Sequence, residues 1–79
     1  MTFKPNDENL IKKYPHFERI LDECFELDIK IEKLSTFLNS KNVSTVPVSE
    51  VDLLKEQLGY MEQYSSVLKR RIEAIRLKE

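Results

Sequence analysis

The side chains with the chemistry to act on a substrate or hold a ligand are few in this 79-residue sequence, and they are scattered. There is one histidine, His16, and one cysteine, Cys24. No Cys/His pair falls on one helical face, and there is no HExxH or CxxC spacing and no glycine-rich phosphate loop, so neither catalysis nor a metal centre is expected. The many carboxylates fall on helix surfaces, where water solvates them. Cations and rings remain. Arg70 and Arg71 carry planar guanidinium groups suited to phosphate, or else to ion pairs within the fold. Lys30, set between Ile29 and Ile31, either snorkels along apolar surface or meets a ligand. Tyr14 and His16 flank Pro15, where their rings either stack on a base or pin the preceding segment.

Charge narrows the ligand class. The whole chain carries a net charge of −1 with a pI near 5.9, which argues against polymeric nucleic acid, whose binders show a broad basic stripe and a high pI. The balance is uneven. Residues 15–39 hold Arg19, Lys30 and Lys33 against Glu18, Asp22, Glu23, Glu26, Asp28 and Glu32, whereas residues 69–78 hold Lys69, Arg70, Arg71, Arg76 and Lys78 against Glu73 alone. A small anion is compatible with that basic end.

These residues need elements to position them, and the apolar spacing supplies an all-α fold. Residues 1–14 form an N-terminal segment with a short helix, capped by Asn6 or Asp7 and ended by Pro15, which pushes the residue before it out of the α region. Pro15 also suits the first turn of the next helix. From there Ile20, Cys24, Leu27, Ile31, Leu34 and Leu38 step by four and three, a seam that predicts a first long helix over 15–39. Cys24 reads as a small core residue on this seam. Phe17, Leu21, Phe25, Ile29 and Phe37 lie beside it. Residues 40–48 are polar and lack a helical period, so they read as a loop. Ser49 with Asp52 predicts a cap for a second long helix over 49–77, whose seam is Val51, Leu54, Leu58, Met61, Ser65, Leu68, Ile72 and Ile75. Tyr60, Tyr64, Val67 and Ala74 make a further stripe. The helices should pair antiparallel, bringing Arg70 and Arg71 towards Glu18 or Asp22. Gly59, the only glycine, is unfavourable within a helix, and a close helix approach would account for it.

One small domain of this kind buries too little surface to be secure alone, and the apolar surface of the first long helix exceeds what one partner helix covers. A homo-oligomer is the expected remedy. No apolar run approaches the length needed to span a bilayer and no signal peptide is evident, so a cytoplasmic protein without membrane partners is expected. A single cysteine fits a reducing compartment.

The run His16-Phe-Glu-Arg19-Ile20, followed by Glu23, Leu27, Lys30, Leu34 and Phe37-Leu38, and then by Gln57, Met61, Tyr64, Leu68 and Arg71-Ile72, resembles the phage anti-CBASS type 2 family. The resemblance covers residues 14 to 75. It implies homo-hexamers of helical hairpins, with no cofactor, that sequester cyclic dinucleotides such as 3′,3′-cGAMP in the infected bacterial cytoplasm without cleaving them. It further implies that an aromatic residue at Tyr14 or His16 stacks on a base while Lys30 meets phosphate, in pockets between protomers, with Arg19 in the same neighbourhood. Arg71 resembles an arginine that serves a separate cyclic-trinucleotide site in some members. Glu32 stands where those members have a hydroxyl, and its carboxylate would repel phosphate, so weak or absent trinucleotide binding is expected. The other reading of the same surface is a helical protein–protein interaction or assembly module with no small-molecule ligand.

Overall fold

The computed structural model describes residues 6–78, and among them it is wholly helical, with three α-helices and no strand. Helix α1 (Asp7–Lys13) is short, and α2 (His16–Leu38) and α3 (Val48–Arg76) form an antiparallel hairpin. The described chain measures 48 × 17 × 15 Å, a rod set by the length of α3.

Local chemistry sets each boundary within a residue of its expected place. Pro15 drives Tyr14 out of the helical region, to φ −126° and ψ 88°, and α1 stops there. Pro15 itself already has helical dihedrals, and the Phe17 N–H donates to the Tyr14 carbonyl at 2.8 Å, so α2 starts at once. At the far end of α2 the Asn39 side-chain amide donates to the Ser35 carbonyl (2.9 Å) and the Ser40 hydroxyl to the Phe37 carbonyl (2.7 Å), satisfying acceptors the helix leaves over.

The connection differs from the expected unstructured loop. Lys41–Thr45 winds into a 3₁₀ turn, in which the Ser44 and Thr45 hydroxyls donate to carbonyls three residues back. The expected Ser49 cap is also absent. Pro47, with ψ 143°, is the residue that opens α3, and its carbonyl accepts the Glu50 and Val51 N–H groups, both at 3.0 Å. Ser49 therefore sits inside the first turn and makes no side-chain cap.

Burial is lopsided along the hairpin. Leu10, Phe17, Ile20, Cys24, Leu27, Leu68, Ile72 and Ile75 form the core, and all lie at the end where α1 packs on α2 and α3. Towards the connection the seam continues through Ile31, Leu34, Leu38, Val51, Leu54 and Leu58, but these are only half-buried because no third helix covers them. Phe17, expected beside the seam, is fully buried within the core, since α1 roofs that end. Phe25 and Ile29 remain exposed, as the surplus apolar surface of the first long helix requires.

The carboxylate of Asp7 is wholly buried and takes a bidentate pair of hydrogen bonds from Arg76, at 3.0 and 2.7 Å. This clasp ties the start of α1 to the end of α3. Asp7, expected as a candidate cap, thus serves a tertiary contact. Gly59 answers to no close approach, since a Cβ built there would meet nothing within 4 Å.

Candidate functional site

One contact orients the surface. The Tyr64 hydroxyl of α3 donates to Glu23 of α2, so these two residues mark the same side of the hairpin. Two helical turns return almost to the same face, and the helices run in opposite directions. Seven residues beyond Glu23 is Lys30, and seven before Tyr64 is Gln57, so Lys30 and Gln57 face this same side, nearer the connection. Seven residues the other way, His16 and Arg71 face it near the α1 end. The hairpin thus collects His16, Arg19, Lys30 and Arg71 on one side, with Tyr60 and Tyr64 between them. All six are exposed.

The electrostatics of this side are mixed. The bond to Glu23 pushes the Tyr64 phenol above its ordinary value of 10.0, burial and the Glu23 charge push the same way, and Arg71 opposes them. Tyr64 therefore stays a neutral donor at physiological pH. Among the described residues Lys30, Arg19 and Arg71 make no ion pair, so their charges face solvent. Neither Arg70 nor Arg71 meets Glu18 or Asp22, contrary to expectation. The pairs that cross between elements are instead Lys69 with Asp28 on the opposite side of the hairpin and Arg76 with Asp7.

Tyr14 stands apart from that side. Its half-buried ring packs on the core, with Lys13 and Lys78 ammonium groups 5.7 and 5.4 Å from its centroid and the His16 ring edge-on at 6.2 Å. These contacts are those of the pinning role, whereas His16 is exposed. Within one chain His16 is fourteen residues from Lys30, about 21 Å along α2 at 1.5 Å per residue.

On the opposite side Ser65, nearly fully buried at the one polar seam position of α3, donates to Asp28 at 2.6 Å. Burial works against ionisation of Asp28, but the hydrogen bonds from Ser65 and Lys69 and the Lys69 charge outweigh it and hold the carboxyl below 3.8. Burial also raises the Cys24 thiol above its ordinary value, with the Asp28 charge adding to the effect, which keeps it protonated. Among the described residues no cluster of three or more His, Cys, Asp or Glu is placed to hold a metal ion, and no helix is long and apolar enough to cross a membrane.

Tyr60, Tyr64 and Gln57 were not weighed as ligand residues in the sequence. The sequence shows Tyr60 and Tyr64 in a stripe with Val67 and Ala74, but only the antiparallel pairing puts that stripe on the side of Lys30.

The fold is a small helical hairpin that presents cations and rings along one side. The sequence model of the Sequestin family matches residues 14–74, which is most of the chain, and the chain belongs to that family. The match takes in α2, the connection and nearly all of α3. It fits the sponge-type, sequestering protein that the resemblance implies, and the family name points to capture of a small ligand. No curated protein and no solved structure matches the chain.

Proposed function

We propose that this chain is a phage immune-evasion protein of the anti-CBASS type 2 kind, a homo-oligomer that binds cyclic dinucleotides such as 3′,3′-cGAMP between protomers and withholds them from the host effector without cleavage. The observation that carries this reading is the shared side of the hairpin, where Arg19, Lys30 and Arg71 stand exposed without an ion pair among the described residues and His16 is exposed as well. A cyclic dinucleotide offers two phosphates and two bases. Lys30 suits a phosphate as a compact charge, and His16 or Tyr14 supplies the ring for a base.

The roughly 21 Å along α2 between His16 and Lys30 favours a pocket completed by a second chain. A two-fold-symmetric ligand fits a pocket that two identical surfaces make, each contributing a ring from one chain and a cation from the other. The exposed Phe25 and Ile29 provide apolar area for such association. A hexamer, acting in the cytoplasm of the infected host, is the assembly we assign. Glu32 lies with Ile29, Lys33 and Thr36 in a separate shallow groove, and its charge makes cyclic trinucleotides poor ligands there.

Isothermal titration of the purified chain with 3′,3′-cGAMP tests the proposal. Binding at micromolar protein, with unaltered nucleotide recovered after denaturation, is expected. Absence of heat, or recovery of a linearised product, would sink it. Light scattering separates the alternative: a stable oligomer supports the sponge, and a monomer–dimer mixture that gains helicity only in cell extract supports an assembly module.

A further inference from the structure

We infer that the groove running along α3 through Leu53, Gln57, Tyr60, Met61 and Tyr64 receives a purine base, a site separate from the rings of Tyr14 and His16. The inference rests on the nucleotide-binding reading above and names a place where a base would sit.

The groove is shallow and open, with about 570 Å³ of space along it, against which a base and part of its sugar can lie. Its lining is largely apolar, with Leu53 and Met61 beside two tyrosines one helical turn apart. Tyr60 is 63% exposed and Tyr64 45%, so both rings offer a face to solvent. Tyrosine suits stacking because it presents a large rigid surface with little side-chain freedom to lose. Any base stacks on such a ring, so recognition of one base over another needs a polar group at the edge.

Gln57 is that group. Its side-chain amide spends its N–H on a 3.8 Å contact with the Met61 sulfur, a weak acceptor, and it is free to exchange that contact for a better one. A glutamine amide offers one donor and one acceptor side by side, the complement of the N6 and N7 edge of adenine. Lys30 of α2 stands exposed on the same side of the hairpin, outside the groove's lining, and is the cation towards which a nucleotide's phosphate would turn. Glu56 lines the groove on α3 itself and accepts the Tyr60 hydroxyl at 3.4 Å. Its carboxylate repels phosphate, which orients the ligand with base towards Tyr60 and phosphate towards Lys30.

Titration with adenosine monophosphate, followed by NMR on the full chain, tests the site without requiring a cyclic ligand. The Gln57 side-chain amide and the Tyr60 and Tyr64 ring signals are expected to shift together. With 3′,3′-cGAMP, Tyr60→Ala should weaken binding about ten-fold or more, as loss of a stacked ring does, while Tyr60→Phe restores it. Unmoved groove signals with the monophosphate, or equal 3′,3′-cGAMP affinity for Tyr60→Ala, Gln57→Ala and the parent, would overturn the inference. A fall in oligomer mass for Tyr60→Ala would overturn it as well, because the groove would then be a subunit contact. If the monophosphate moves the groove signals and 3′,3′-cGAMP gives no heat, the groove stands and the sponge reading falls.

Discussion

Asp7 and Arg76, 69 positions apart in the sequence, close the structure as a buried bidentate pair at 3.0 and 2.7 Å. Removing one partner of a buried pair strands the other charge, which costs about 3–5 kcal/mol. Asp7→Ala is therefore expected to lower the urea midpoint sharply and to release α1, exposing Leu10 and Phe17. Chemical denaturation followed by circular dichroism measures this, and an unchanged midpoint would refute the clasp.

Acid should loosen the hairpin through Asp28. Its carboxyl is held below 3.8 in the folded chain, so its contribution to stability is complete above the unfolded value and is lost as pH falls through the folded one. Unfolding free energy measured from pH 7 downward should fall below about pH 4. Asp28→Asn should remove that part of the dependence, and an identical pH profile for the two proteins would contradict the assignment.

Gly59 offers a gain. With open space where its Cβ would be, Gly59→Ala should raise stability by about 0.5–1 kcal/mol, from helix propensity and a less flexible unfolded chain. Thermal melting reads this directly. A loss would mean that the position packs against another molecule.

Lys30→Ala separates ligand from fold. Lys30 is exposed and makes no ion pair among the described residues, so its removal should leave helicity and oligomer mass alone. A charge-assisted contact is worth about 1.5–3 kcal/mol, so the affinity for 3′,3′-cGAMP should drop roughly 10- to 100-fold. Calorimetry with parallel light scattering checks both halves.

The hairpin was readable because the seams of Ile20 to Leu38 and Val51 to Ile75 repeat every seven residues, and Pro15 and Pro47 punctuate them. Helix ends came out within a residue for the same reason. What spacing does not encode is contact between elements. Asp7 looks like a cap because aspartate often is one, and only the docking of α1 turns it towards Arg76. Ser65 looks like a flaw in the seam until Asp28 is placed opposite. The side shared by His16, Lys30 and Arg71 depends on how α2 and α3 line up, which neither helix specifies by itself. For the same reason the sequence does not mark Tyr60 and Tyr64 as ligand residues.

The uneven core has a practical result. Between Lys41 and Thr45 the chain is anchored only by short-range hydrogen bonds, and the seam leading to it is half-buried. Lengthening a connection of this kind costs only about 0.6 kcal/mol for each doubling. A fluorescent reporter spliced there would ride at the tip farthest from Asp7 and Arg76, making the turn a handle for watching ligand capture in living cells.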